Sequence, residues 1–261
     1  MLSCEPGNAQ AIGDRTEQQD AFAFTDPADE SFTAHGGVLA VLADGMGGME
    51  GGREAAAAAV EAFVAAYQAK SPDETVPDAM ARSLAAANHA VTALPFEPGT
   101  EGAGTTLVAV VVLGTSCHWI SVGDSRAYLV RGKRARQMSA DHVYGARLDR
   151  RAARGEISIA AAREDPQREA LTSYVGLPSL SEIDRSPTPA ALEPHDVVLL
   201  CSDGLYKGLT EDEIAAAKAA GSAQSMCDLL VEAVLGKARA HQDNVTVVAL
   251  ALNGVPVSNP R

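Results

Sequence analysis

Runs of apolar residues that stop at an acidic residue recur along this chain. The first covers 37–43 and is followed directly by Asp44, and its length and aliphatic composition are typical of a buried β-strand. Comparable runs cover 107–113, 117–122, 197–202 and 245–250. Such uniformly apolar strands predict sheets that are covered on both faces. Short connections between neighbouring strands favour antiparallel pairing, including a hairpin over 126–138.

Helical periodicity separates these strands. Apolar residues recur at spacings of three and four over 54–70 and 76–94, and two further helices are predicted over about 211–220 and 224–240. The highly charged segment 140–187 has weak periodicity and predicts a partly helical lid. No repeat or low-complexity linker interrupts the chain, so we expect one α+β domain over 1–261.

Composition narrows the functional classes. The 261 residues are 46% hydrophobic but only 4% aromatic, and the formal net charge is −13. Few aromatic rings and a negative charge disfavour nucleic-acid binding. The four cysteines form no CxxC pair, and no basic leader or bilayer-length apolar span is present. We expect a cytoplasmic monomer that binds neither nucleic acid nor membrane.

Four aspartates at strand boundaries suggest a metal site. A carboxylate beside a buried strand is costly unless it is paired, hydrogen-bonded or bound to metal. We expect no nearby lysines to compensate these charges, which leaves metal as the most favourable partner. Oxygen-only ligands suit Mg²⁺ or Mn²⁺ better than zinc. The four residues are Asp44, Asp124, Asp203 and Asp243.

A polar bend upstream adds a phosphate-binding candidate. Arg15 offers a planar fork for phosphate oxygens, and Asp20 follows in the same segment. Two ions about 3.5–4 Å apart would activate a water as a nucleophile, which favours hydrolysis of a phosphate ester. Arg15 could instead be an ordinary surface residue, and Asp124 could simply cap a turn. A nucleotide loop at the glycines after Asp44 is disfavoured because no Lys-Ser/Thr follows them.

The order of short motifs resembles the metal-dependent protein phosphatase family of the protein phosphatase 2C type, bacterial branch. The resemblance covers about 8–250. It rests on Arg15…Asp20, Asp44-Gly45-Met46-Gly47-Gly48, Gly104-Thr105-Thr106, Val122-Gly123-Asp124-Ser125-Arg126, Ser202-Asp203-Gly204-Leu205 and Asp243-Asn244-Val245-Thr246. It implies an α-β-β-α sandwich of two antiparallel sheets flanked by helices, with a flap over about 140–187.

The resemblance also implies roles for individual residues. Asp44 would bridge two Mn²⁺ or Mg²⁺ ions, with the Gly45 carbonyl on the second ion. Asp203 and Asp243 would complete the first ion's shell, and Asp124 with Asp203 would hold a third ion. Arg15 would bind the substrate phosphate and Asp20 would orient a metal-bound water.

The same resemblance implies a serine/threonine phosphoprotein phosphatase that opposes a bacterial kinase, with a metal-bridging hydroxide as nucleophile. Three positions depart from the pattern that the resemblance implies: Gln18 replaces the usual Asn, Met46 stands where many eukaryotic members have a His, and Ser173 stands where relatives often have a basic or amide residue. In the absence of that His, a metal-bound water or His142 is the candidate for protonating the leaving group. His142 is also a candidate for binding the substrate, or else an anchor of the flap. Two alternatives stay open, a catalytically silent phosphoprotein-binding module and a phosphatase acting on a regulator of a sigma-factor antagonist.

Overall fold

A computed structural model describes residues 2–46, 51–95 and 103–254. Its strands are β1 (Leu2–Ala11), β2 (Asp20–Phe24), β3 (Val38–Asp44), β4 (Leu107–Leu113), β5 (Ser116–Val122), β6 (Arg126–Arg131), β7 (Arg134–Gln137), β8 (Asp184–Arg185), β9 (Ala190–Ala191), β10 (Val197–Cys201) and β11 (Val245–Gly254). Its helices are α1 (Glu30–Gly36), α2 (Gly52–Gln68), α3 (Val76–Thr92), α4 (Tyr144–Ala153), α5 (Ile159–Glu164), α6 (Asp203–Tyr206), α7 (Glu211–Ala217) and α8 (Ala223–Gly236). A 3₁₀ turn over Lys218–Ala220 continues α7.

The strands form two antiparallel sheets. The first has the order β1-β11-β10-β6-β7, and the second has the order β2-β3-β4-β5-β8, with β9 also paired to β5. Every strand pairing between these elements is antiparallel, as the short connections predict.

Alternating side chains on β3 show how the layers form. Leu39, Val41 and Ala43 belong to an apolar core shared with α2 and α3. The residues between them, including Leu42, pack in a second core with residues of the other sheet. Because successive strand residues point to opposite faces, a continuous apolar run fills both cores.

A third core lies on the outer face of the first sheet, where residues of β10 and β11 pack against α7 and α8. The order of layers is therefore helices, sheet, sheet, helices. The predicted α-β-β-α sandwich is confirmed, and the large strands and helices agree with their sequence-based predictions within a few residues.

Three local features differ from the expectations. Helix α1 has no counterpart among the predicted elements; the Asp29 side chain caps it by accepting the Phe32 N–H at 3.1 Å. Helix α8 ends at Gly236 rather than at 240, and Ala238 beyond it has a left-handed φ of 46°. Within the predicted lid, Asp184–Arg185 forms β8 and joins a sheet.

No helix among the described residues is long and apolar enough to cross a bilayer.

Candidate active site

Asp20 lies opposite Asp44 in the β2–β3 pairing, at the ends of both strands. Its Oδ2 atom accepts hydrogen bonds from Ser202 Oγ at 2.8 Å and from Thr246 Oγ1 at 2.6 Å. Its Oδ1 atom is buried and has no hydrogen-bond partner among the described residues. Burial raises the pKa of Asp20 to about 6, even though the two hydroxyl donors lower it. One carboxylate oxygen is thus left available to another ligand.

The backbone at Asp44 is fixed by the predicted Gly104-Thr105-Thr106 motif. The Asp44 N–H donates to Thr106 Oγ1 at 3.0 Å, and its carbonyl accepts from the Thr106 N–H and from Thr105 Oγ1, each at 2.9 Å. Burial raises the pKa of the Asp44 carboxyl well above its usual range. Four neighbouring carboxylates raise it further: Asp20, Asp203, Asp124 and Asp243. The structure therefore brings the predicted acidic residues together.

Asp203 follows β10 of the first sheet, whereas Asp124 lies in the turn between β5 of the second sheet and β6 of the first. Asp203 is the first residue of α6, where it pairs with Lys207 Nζ at 2.7 Å. Asp124 is buried and accepts a hydrogen bond from the Tyr206 hydroxyl at 3.1 Å. Burial, followed by the charge of Asp203, raises the pKa of Asp124 to about 6. The side chain of Asp124 is therefore held by a hydrogen bond from Tyr206 of α6, which goes beyond the alternative that Asp124 only caps a turn.

Arg15 and Asp243 form an ion pair at 2.6 Å between Nη2 and Oδ2. Both side chains are accessible, with 48% and 37% of their surfaces exposed. The predicted phosphate ligand thus lies beside a predicted metal ligand, and in this structure the two bind each other.

Asn244 holds the loop that carries Arg15. Its buried Nδ2 donates to the carbonyls of Ile12 at 2.8 Å and Glu17 at 3.0 Å, while its Oδ1 accepts from the Gln19 N–H at 2.8 Å. The bend 12–19 has few apolar residues of its own to pack, so these three bonds fix its position relative to β11.

Two glycines permit close approach of the backbone at the site. A Cβ on Gly45 would lie 2.3 Å from the Gly52 carbonyl oxygen, and one on Gly204 would lie 2.0 Å from the Asn244 carbonyl oxygen. No other residue fits at either position without moving the backbone. Gly47 and Gly48 of the same predicted motif lie outside the described residues.

His142 is buried at the start of the flap. Its Nδ1 accepts the Gly123 N–H at 3.1 Å, and its backbone N–H donates to the Gly123 carbonyl at 2.9 Å. Burial lowers its pKa, against the opposing effect of nearby carboxylates. Beside it, Asp141 forms a bidentate ion pair with Arg126. These contacts support the anchoring alternative for His142, while its predicted substrate-binding role stays a prediction.

The donor set fits a hard divalent cation in its chemistry. All candidate side-chain ligands are carboxylates, and the free Oδ1 of Asp20 and the raised pKa of Asp44 show negative groups that are incompletely compensated. Among the described residues, no three acidic, His or Cys side chains are already arranged around one point. The carboxylates of Asp243 and Asp203 are instead engaged by Arg15 and Lys207.

Sequence reasoning gave no role to several residues that shape this site. Ser202 and Thr246 hold Asp20, Asn244 holds the Arg15 loop, and Lys207 pairs with Asp203. Their position in the sequence could have identified them, because each lies next to a motif aspartate or within one helical turn of one.

A family model for protein phosphatase 2C matches residues 9–235. The chain belongs to this family. Among its relatives, the serine/threonine protein phosphatase PstP of Mycobacterium tuberculosis is 32% identical over 221 residues, which are 82% of this chain and 40% of PstP. The serine/threonine phosphatase stp of Listeria welshimeri is 30% identical over 222 residues, which are 82% of this chain and 84% of that protein. The chain spans about two fifths of PstP.

Solved structures show the same architecture. A crystal structure of M. tuberculosis PstP/Ppp superposes with a TM-score of 0.78 at 26% identity, covering 97% of this chain and 100% of the other. The catalytic domain of PstP in complex with two manganese ions gives a TM-score of 0.74 at 24% identity, over 97% and 100% of the two chains. The family and fold predicted from the motifs are thus confirmed.

Proposed function

We propose that this chain is a divalent-metal-dependent phosphatase of phosphoserine and phosphothreonine in proteins. The observation that carries the proposal is the pairing of Asp20 with Asp44 at the ends of β2 and β3, where Asp20 Oδ1 is buried without a hydrogen-bond partner among the described residues. The charges of Asp203, Asp124 and Asp243 also act on Asp44. The relatives named as serine/threonine phosphatases support this substrate class. Because the chain spans 40% of PstP, the substrates and partners of a whole protein of that kind are also part of the proposal.

Asp44, Asp203 and Asp243, with the Gly45 carbonyl, are the residues that would hold two Mn²⁺ or Mg²⁺ ions. Asp124 with Asp203 would hold a third. When bound, such ions supply an activated water nucleophile and neutralise the charge that develops on the phosphoryl group. The complex of PstP with two manganese ions supports this assignment without deciding between the two metals.

The chain's own residues would position the reacting groups. Arg15 would grip phosphate oxygens with its guanidinium fork once it leaves Asp243, and its partly exposed side chain can reach solvent. Asp20 would orient the attacking water through its free Oδ1, since Ser202 and Thr246 hold its other oxygen. Attack in line on phosphorus would release the serine or threonine without a covalent enzyme intermediate.

In the cell, we propose that this activity opposes a bacterial serine/threonine kinase in the cytoplasm. Support for the activity comes from the phosphatase names of the relatives. The kinase partner rests on the resemblance, and the location rests on the expectation from the sequence.

Hydrolysis of p-nitrophenyl phosphate and of a phosphothreonine peptide, with Mn²⁺, Mg²⁺ or EDTA, tests the proposal. We expect turnover that requires metal and that Asp203→Asn abolishes. Asp228→Asn is the matched control, because this exposed carboxylate lies on α8 and accepts a hydrogen bond from the Gln224 side chain at 2.9 Å. Turnover that persists in EDTA would overturn metal dependence. A folded protein without turnover under any condition would favour the silent binding module.

A further inference from the structure

A second polar cavity opens beside the candidate active site, between α6 and the loop that follows α8. It has a volume of about 230 Å³, and its charged lining residues are Asp203, Lys207, Arg239, His241 and Asp243. Asp203 and Asp243 also belong to the carboxylate cluster, so the cavity is continuous with the place where a substrate phosphoryl group would bind. We call it the lateral cavity.

The loop that forms one wall has an unusual backbone. Ala238 and His241 adopt left-handed φ values of 46° and 61°. Such values are uncommon for residues other than glycine, and they concentrate at functional sites. They place Arg239 and His241, both exposed, on the rim of the lateral cavity.

Hydrogen bonds fix this loop against its surroundings. Arg239 Nη1 donates to the Lys207 carbonyl at the end of α6. Buried Gln242 donates through Nε2 to the carbonyls of Gly204 at 3.3 Å and Asp243 at 3.2 Å, and its backbone pairs with Asp14. The lateral cavity is therefore a preformed feature with a fixed floor.

The ion pairs in the lateral cavity leave the guanidinium of Arg239 available to bind an anion. The two carboxylates are each paired, Asp203 with Lys207 and Asp243 with Arg15. Arg239 has no carboxylate partner among the described residues, although the whole chain carries a formal net charge of −13. An arginine that avoids pairing in so acidic a protein can bind an external anion.

We propose that the lateral cavity is a substrate subsite for an anionic group, a carboxylate or a second phosphate. That group lies one or two residues from the phosphorylated residue. An extended peptide advances about 3.3–3.6 Å per residue, so a neighbouring side chain reaches a cavity that adjoins the phosphoryl position. Arg239 is the specificity-determining residue, with Lys207 and His241 beside it. This inference rests on the proposed function, because it places the phosphoryl group at Arg15.

Three phosphothreonine peptides test the subsite. One has aspartate at the two positions on each side of the phosphothreonine, one has asparagine there, and one has asparagine with a single added phosphoserine next to the phosphothreonine. The rate measured for each peptide is loss of the phosphothreonine phosphate, followed by mass spectrometry, so that hydrolysis of the added phosphoserine is not counted. For the intact protein, we expect kcat/KM for each anionic peptide to exceed that for the asparagine peptide about fivefold, the scale of one partly exposed ion pair. The aspartate and phosphoserine peptides show which anion is preferred.

Two variants test whether Arg239 causes the preference for anionic peptides. Arg239→Gln should reduce the anionic-to-neutral ratio to about one. The ratio should be unchanged in Arg134→Gln, which removes an exposed arginine on β7. Because each ratio compares peptides on one protein, a general loss of activity or stability does not mimic the effect. Equal rates for all peptides on the intact protein, or an unaltered ratio in Arg239→Gln, would overturn the inference.

Measurements of peptide binding distinguish two outcomes: that the subsite proposal is wrong, and that the proposed function is wrong. Fluorescence anisotropy in EDTA measures the affinity for the same peptides without turnover. If the protein hydrolyses none of them, the proposed function fails. The subsite then stands only if the anionic peptides still bind about fivefold more tightly and Arg239→Gln removes that preference.

Discussion

Arg15 Nη2 lies 2.6 Å from Asp243 Oδ2, so a candidate phosphate ligand and a candidate metal ligand hold each other. The two residues stand 228 positions apart in the chain. Neither can take up its proposed partner without weakening this ion pair. With the proposed roles, metal binding and phosphate binding would be coupled at Asp243, because an ion bound by the carboxylate would free the guanidinium for substrate.

Arg15→Gln should tighten Mn²⁺ binding while weakening catalysis. Without the guanidinium, a metal ion no longer competes with Arg15 for the Asp243 carboxylate. An exposed ion pair of this kind contributes up to about 1 kcal/mol, so its loss should lower the metal dissociation constant about fivefold. The kcat/KM for a phosphopeptide should fall at least tenfold because the fork for phosphate is lost. Calorimetric Mn²⁺ titration and steady-state kinetics measure the two effects. Arg82→Gln, on α3 and paired with Glu74, is the control. Weaker Mn²⁺ binding by Arg15→Gln would refute the competition.

Asp44→Asn should stabilise the metal-free protein and abolish its response to metal. Burial and four neighbouring carboxylates raise the pKa of Asp44, so a neutral amide relieves repulsion that the folded state now bears. We expect a gain of about 1–2 kcal/mol in EDTA, or roughly 2–6 °C in melting temperature. Thermal melts with and without Mn²⁺ test this, with Asp228→Asn for comparison. A lower melting temperature for Asp44→Asn in EDTA would contradict the assignment.

Asn244→Ala should destabilise the fold and impair the site together. The substitution leaves two partly buried carbonyls and one backbone N–H without their partner, which costs about 1–2 kcal/mol in total. The loop bearing Arg15 would also lose its attachment, so KM for a phosphopeptide should rise. Urea unfolding and kinetics measure these effects against Asn253→Ala, whose exposed side chain makes one hydrogen bond to Glu5. Equal stability of the two variants would show that Asn244 does not hold the loop.

The anchoring of the flap by His142 should weaken in acid. Burial lowers the pKa of His142 in the folded protein, so the unfolded chain binds its proton first as the pH falls. Its contribution to stability is present above the ordinary histidine pKa of about 6.5 and is lost as the pH falls below it. Between pH 7.5 and 5, the intact protein should lose more stability than His142→Gln, which retains an acceptor for the Gly123 N–H. Parallel pH profiles for the two proteins would argue against this.

Local patterns predict the layers of this fold well. Each face of β3 contacts a different apolar core, and a continuous apolar run is the sequence signal for such a strand. The strand-end positions of Asp44, Asp124 and Asp203 likewise follow from where the runs stop. Helix α1 was missed because its seven residues are too few for a reliable helical period.

Pairings between distant residues could not be predicted in the same way. Periodicity does not show that Asn244 binds Gln19, 225 positions away, or that Asp141 pairs with Arg126 rather than entering the site. Such contacts depend on how the two sheets pack against each other. The pattern of apolar and polar residues along the chain does not give the distance between residues that lie on different elements. The motif order pointed to the family, but the side-chain partners needed the three-dimensional structure.

The position of β11 has a consequence for synthesis on the ribosome. This strand, last among the described elements, lies between β1 and β10 in the interior of its sheet, and Asp243 and Asn244 immediately precede it. A nascent chain that stops before residue 243 therefore exposes the edges of β1 and β10 and lacks both site residues. Incomplete translation products should be recognised by proteases and chaperones as unpaired strands, and the cell is protected from releasing a truncated but active enzyme.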